Sequence, residues 1–217
     1  MHHFRITPFR LAAAVAIGSL ACTGVAYAAS LGLGSNKLFA WSQSLTKGTC
    51  NQTSTTADDT YVQQALPTST AGGTATTLTI SPVAAAQDYA FSRFNLSGCS
   101  LPTTAGADSA VLTVRVTTAG ADTISLFPVT SSWSSSTLNW NGVSGLTIGS
   151  TATGTFSAST TGNKTVTVTA DVDAAIKAGT LWGWELRATS GTAIVAIGAS
   201  ENGTAGNRPS MTLSYEK

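Results

Sequence analysis

Histidine is almost missing from this chain. Its 217 residues hold two, His2 and His3. Both stand in a stretch that reads as a secretory leader, so residues 29–217 carry none. This excludes a Ser-His-Asp triad, a Cys-His pair and any histidine-based metal site in the exported chain. Charge is scarce too, at 10% Asp, Glu, Lys and Arg together. There is no basic footprint for nucleic acid and no polybasic patch for an anionic membrane. Long apolar runs are absent beyond Leu11–Leu20, which is too short to span a bilayer.

The leader has the three expected parts. Arg5 and Arg10 give a positive start, Leu11–Leu20 the apolar centre, and Ala26-Tyr27-Ala28 an A-x-A cleavage site. The exported chain is expected to begin at Ala29. Lipid attachment at Cys22 is the rival reading, because Leu20-Ala21-Cys22 faintly resembles a lipoprotein box. Ser19 stands where that box has Leu, which disfavours it. Without Arg5 and Arg10, basic and acidic residues nearly balance. Cys50 and Cys99 are then the remaining thiols, and in an exported protein they read as one disulfide. Two free thiols are the other reading. The bond would close a loop of about 50 residues and stabilise by roughly 4 kcal/mol.

What the chain does have is Ser, Thr, Gly and Ala, with Val, Ile and Leu at alternate positions. A period of two marks strands with one buried face. The alternation is clearest at Ala110, Leu112, Val114 and Val116, with Arg115 pointing the other way. Leu78 with Ile80 repeats it, as do Ala193, Val195, Ile197 and Ala199, and Met211, Leu213 and Tyr215. Tyr89, Phe91 and Arg93 share one face of a strand, and Ala90, Ser92 and Phe94 the other. Trp182, Trp184, Leu186 and Ala188 read as one inner face, with Glu185 and Arg187 outward. Val166, Val168 and Ala170 read as another. Phe39, Trp41 and Gln43 mark a strand over Lys37–Leu45, followed by a polar stretch, Thr46–Thr56. Asp171–Ala178 reads as one or two helical turns, with Asp171 as N-cap and Gly179 as stop.

About ten strands, turn residues every 8–12 positions and almost no helix predict an all-β fold. The expected form is an antiparallel, jelly-roll-like β-sandwich. A closed barrel ranks second. A solenoid ranks third, because no repeat of fixed period is present. The expected organisation is a leader (1–28), an N-terminal strand and polar linker packed on the domain (29–57), and the sandwich (58–217).

Several segments resemble one family of secreted proteins. Asp59-Thr60-Tyr61-Val62, Gly73 and Leu78-Thr79-Ile80 are similar to its first two strands. Phe91-Ser92-Arg93-Phe94-Asn95-Leu96-Ser97 resembles its "RFDLS" segment, with Asn95 where Asp is usual. Ser109–Val114 resembles its "SAxLxL" strand. Trp133 through Leu138-Asn139-Trp140-Asn141 resembles its two-tryptophan segment, with Ser135 in place of the usual Glu. Glu201, Arg208-Pro209 and Leu213-Ser214-Tyr215 resemble its last strand. This is the family of DNRLRE-domain proteins, also classed as carbohydrate-binding module family 96. The resemblance covers about residues 58–216. It implies an extracellular sandwich module, often joined to enzymes and in some members binding acidic polysaccharide.

Candidate site residues follow from chemistry. Sugars present apolar C–H faces to aromatic rings and hydroxyls to amides, and Trp133, Asn139, Trp140 and Asn141 supply both in one segment. The alternative is that both tryptophans are core plugs. Arg93, on a face with Tyr89 and Phe91, is either a cation facing an acidic sugar or one half of an ion pair with Glu201 or an Asp. Arg208 reads as a structural pair. No organic cofactor is expected. Calcium, which takes oxygen ligands, is the metal the residue types allow, at Asp58 and Asp59 or at Asp171 and Asp173, against turn and cap roles for each.

These residues support a secreted, non-catalytic carbohydrate-binding module, with an extracellular polysaccharide or cell-surface glycan as partner. Neither nucleic acid nor a membrane span is expected, and the chain is expected to be a monomer. A cell-surface or matrix structural protein is the alternative. The third reading is a hydrolase or lyase built on two carboxylates.

Overall fold

Eleven strands form among the described residues, most of them on alternating apolar side chains. The computed structural model describes residues 47–53, 57–102 and 105–216. The expected leader, Cys22 and the strand expected at Lys37–Leu45 lie outside the described residues. The strands are β1 (Lys47–Gln52), β2 (Ala57–Gln63), β3 (Thr77–Ile80), β4 (Asp88–Phe94), β5 (Gly106–Thr118), β6 (Thr123–Pro128), β7 (Gly154–Ser157), β8 (Gly162–Thr167), β9 (Trp184–Ser190), β10 (Val195–Gly198) and β11 (Ser210–Glu216). Among the described residues, two α-helices, α1 (Trp140–Val143) and α2 (Thr169–Ala178), and three short 3-10 turns interrupt them.

Every pairing between these strands is antiparallel, and they form two sheets. The first is organised around β5. Val111, Leu112 and Thr113 pair with β11 on one edge and β8 on the other. Val116 pairs with Ile197 of β10 and with Gly162 of β8. A strand has two edges, so β10 and β11 follow one another along the same side of β5. β3 extends the sheet beyond β10, and β1 extends it beyond β11. The second sheet runs β2-β4-β9-β6-β7. Stacked face to face, the two make a β-sandwich.

The inner faces close over one core. Leu112, Val114, Leu78, Ile197, Met211 and Leu213 come from the first sheet, and Ala90, Phe94, Ile124, Leu126, Trp184 and Leu186 from the second. Trp184 is fully buried. Its indole N–H donates to Asp171 Oδ2 at 2.6 Å, which meets the need of a buried donor for a partner.

Three local expectations change. Lys47–Gln52, part of the stretch read as polar linker, is the edge strand β1, paired throughout with β11. Asp171 is not the N-cap of α2. That position is Val168, and Asp171 lies in the first turn, where its charge suits the helix N-terminus and its oxygen serves Trp184. Because α2 begins at Thr169, Ala170 leaves the strand pattern and is exposed. Gly179 does end the helix in the left-handed conformation, at φ 78°.

Cys50 and Cys99 are bonded. The bond ties β1 to the short 3-10 turn Leu96–Cys99 that follows β4, and so links an edge of one sheet to the other. Replacing both cysteines by Ser should lower unfolding free energy by roughly 4 kcal/mol in the chain-entropy account. Urea melts of the two proteins would measure it, and equal midpoints would show that the bond adds nothing.

Candidate functional site

The second sheet is buried on both faces, which is unusual for an antiparallel sheet. Its outer face carries Val62 from β2, with Tyr89, Phe91 and Arg93 from β4. Val62 and Phe91 form a second apolar cluster with Val129, Trp133 and Leu138. The last three belong to the connection after β6, whose Trp140, Val143, Leu146 and Ile148 pack on the same cluster. That connection is therefore a cover laid across the sheet.

Trp133 anchors the cover. It is 7% exposed, and its ring centroid lies 5.8 Å from that of Phe91. Its indole N–H donates to the carbonyl of Trp182 at 2.7 Å. Trp140 is half-buried, 4.9 Å from the Tyr89 ring. Asn139 is the N-cap of α1, its side-chain oxygen accepting the Gly142 N–H at 3.0 Å. Asn141 is exposed and gives its backbone N–H to the Pro67 carbonyl at 3.1 Å. Of the four residues singled out in this segment, the structure thus brings Trp133 to Arg93 and uses the others to shape and seat the cover.

Arg93 is held on three sides. Its guanidinium lies 5.0 Å from the Trp133 ring centroid and 5.2 Å from that of Trp182, within cation–π range. Its Nε and Nη2 both donate to Asp58 Oδ2, at 2.9 and 2.6 Å. Asp58 is its register partner on β2, so the ion pair is a cross-strand pair. The partner is an aspartate, as one of the sequence readings had it, and not Glu201. Strand alternation sends Asp58 to the outer face and Asp59 to the inner one. The two carboxylates do not face one common ion.

Arg93, Asp58 and Trp182 form one wall of a cleft of about 870 Å³. The rest of the lining includes Asn95, Leu96, Ser97 and Ser100 from the turn after β4, Ile176 from α2, and Thr180 and Leu181 just beyond it. The lining therefore combines an indole, aliphatic side chains, hydroxyls and one internally neutralised ion pair. Such a mixture of apolar surface and a few fixed polar groups is what small-ligand and sugar sites use.

Sequence reasoning put Trp182 on the inner face with Trp184. The structure places it outside, half-buried beside Arg93. Gly183 is the cause. It adopts φ 76°, which breaks the alternation between its neighbours. A Cβ there would sit 2.0 Å from the Ser92 carbonyl oxygen. A glycine inside a strand pattern is the signal that could have revealed this. Glu185 does point outward, yet it is 1% exposed. Its register partners are Phe91 and Phe127, and Arg187 Nη1 lies 3.4 Å away. Burial pushes its carboxyl above the usual range, and Arg187 only partly opposes that.

Two outcomes are expected from these contacts. Gly183→Ala should cost at least about 2 kcal/mol, through both the positive φ and the clash. A denaturant melt with an unchanged midpoint would contradict this. Glu185 has a raised folded pKa, so its ionisation penalises the fold as pH rises through that value. Glu185→Gln should raise the melting midpoint by a few degrees at pH 8 and leave it nearly unchanged at pH 4. A loss of stability at pH 8 would mean that the Arg187 pair outweighs the burial.

Comparison with known proteins agrees with this architecture. A family model described as carbohydrate-binding module family 96 matches residues 51–215, from the end of β1 to the end of β11. No curated protein matches the chain. Most of the described sandwich falls within that span, and the chain belongs to carbohydrate-binding module family 96.

Proposed function

We propose that this chain is a secreted, non-catalytic protein that binds an extracellular polysaccharide in the cleft walled by Trp182, Arg93 and Asp58. The observation that carries the reading is the Trp182–Arg93–Asp58 wall, where an indole edge and an ordered guanidinium meet open space. Nη1 of Arg93 has no hydrogen-bond partner among the described residues and is left to donate to a ligand oxygen. The leader features of residues 1–28 and the Cys50–Cys99 bond support export. A glycosidase needs two carboxyl groups flanking the bond it cuts. The described lining of the cleft holds one, Asp58, already committed to Arg93.

The charge of the wall also bears on the ligand. Arg93 and Asp58 are the charged residues of the lining, and they neutralise each other. An acidic sugar would meet no surplus positive charge, so the cleft suits hydroxyl-rich, neutral chains. Affinity should then change little between low and physiological salt.

Affinity electrophoresis of the full chain against neutral and acidic polysaccharides tests this. Retention on a neutral glycan is expected, and Trp182→Ala should weaken it at least about tenfold, or about 1.4 kcal/mol. Trp140→Ala lies outside the cleft and should leave affinity unchanged. Retention on no glycan at all, or full affinity in Trp182→Ala, would sink the proposal. Salt-sensitive binding to acidic polymers alone would overturn the neutral-ligand part.

A further inference from the structure

The main core is not sealed at the cleft. Of the partly buried apolar residues that fringe it, Ala57, Leu96, Leu101 and Ile176 line the cleft. Behind them the lining reaches Phe94, Ala175 and Leu181, which are buried members of the same core. The cleft is therefore a place where the space between the two sheets opens to solvent.

The polar wall stands immediately beside this opening. Ala57 and Phe94 are register partners, one position along β2 and β4 from Asp58 and Arg93. One residue of a strand advances by only about 3.3 Å. Leu181 and Trp182 repeat the step, since Leu181 joins the core while Trp182 lies against the guanidinium. Gly183 holds the two segments together, because a Cβ on it would sit 2.6 Å from Arg93 Cα. A ligand group that enters the opening passes beside Arg93.

Opening and wall make different demands on a sugar. An unsubstituted chain would turn hydroxyls onto aliphatic side chains, where they lose water without gaining a partner. The fit calls for a short apolar group joined directly to a hydrogen-bond acceptor. An acetyl group is that pair, a methyl on a carbonyl. Burying the methyl is favourable. The carbonyl oxygen suits Nη1 of Arg93, which has no hydrogen-bond partner among the described residues, and a bond from a guanidinium is charge-assisted. A longer acyl chain would meet Phe94 and Leu181, which close the floor. A carboxylate would carry its charge toward the Asp58 carboxylate and the apolar opening.

We propose that the cleft recognises acetylated, uncharged sugar chains. The methyl enters the opening lined by Leu96, Leu101 and Ile176, and the carbonyl oxygen accepts from Arg93. This rests on the reading of the cleft as a glycan site and narrows it. Amide and ester acetyl groups present the same methyl and carbonyl oxygen, so the test carries both.

Calorimetric titration of the full chain with two matched pairs of ligands tests it. The first pair is chitohexaose, built of N-acetylglucosamine, and cellohexaose, the same chain built of glucose. The second is acetylated glucomannan before and after mild alkali, which removes its ester acetyl groups. In at least one pair the acetylated member should bind at least about tenfold more tightly. Preference in the first pair alone assigns the amide, and in the second alone the ester. Ile176→Thr and Leu96→Thr should each bring that ratio below about threefold. Equal or weaker binding of the acetylated member in both pairs would overturn the proposal and leave the glycan reading intact. A preference undiminished in both variants would place the acetyl group elsewhere and equally overturn it. So would binding of no member of either pair. Failure of the glycan reading itself shows separately, as loss of retention on every polysaccharide in the affinity gels.

Discussion

The hydrogen bond from the Trp133 indole to the Trp182 carbonyl joins two things that would otherwise be independent. One is the cover over the second sheet, and the other is the wall of the cleft. Trp133 can reach that carbonyl because Gly183 turns the chain just before β9. The same turn carries the Trp182 ring out of the core and toward Arg93. Arg93 then has an indole on either side and Asp58 in register across the strand. Fixing a guanidinium this way removes most of its rotamer freedom before any ligand arrives. A ligand oxygen meeting Nη1 would not have to supply that ordering itself.

The cover also explains why the outer face can carry Phe91 and Val62 at all. On a solvated sheet face these would form an exposed apolar patch. Under the cover they are a small second core, and Glu185 is caught in it. A carboxyl enclosed between Phe91 and Phe127 serves the fold poorly, and its raised pKa records that cost. Arg187 offsets part of it from 3.4 Å, and its guanidinium lies 3.9 Å from the Phe127 ring centroid.

How much of this was legible in the sequence depends on whether the cause is local. β5 was readable because Ala110, Leu112, Val114 and Val116 all face one core. The faces of β4 were readable for the same reason, including Arg93 beside Phe91. β1 was not, because Lys-Gly-Thr-Cys-Asn-Gln has no apolar alternation and owes its form to pairing with β11. The side of Trp182 was misjudged because a single glycine φ overrode the period. The burial of Glu185 has no local signal whatever, since it depends on a connection that begins some 50 residues earlier in the chain. The bond from the Ser200 backbone N–H to Asp59 is hidden in the same way: the two residues are far apart in sequence and meet when the sheets stack.

The pairing of Lys47 with Glu216 has a mechanical consequence. The two ends of the sandwich leave from adjacent positions on one edge, so tension applied between them loads β1 and β11 in an unzipping direction, one hydrogen-bonded pair at a time. Peeling of β1 can proceed past Thr49 and then meets the covalent link at Cys50. Beyond that point further extension has to strip β11 from the long strand at the centre of its sheet. A domain hung from both ends would thus give way softly for three residues and then hold.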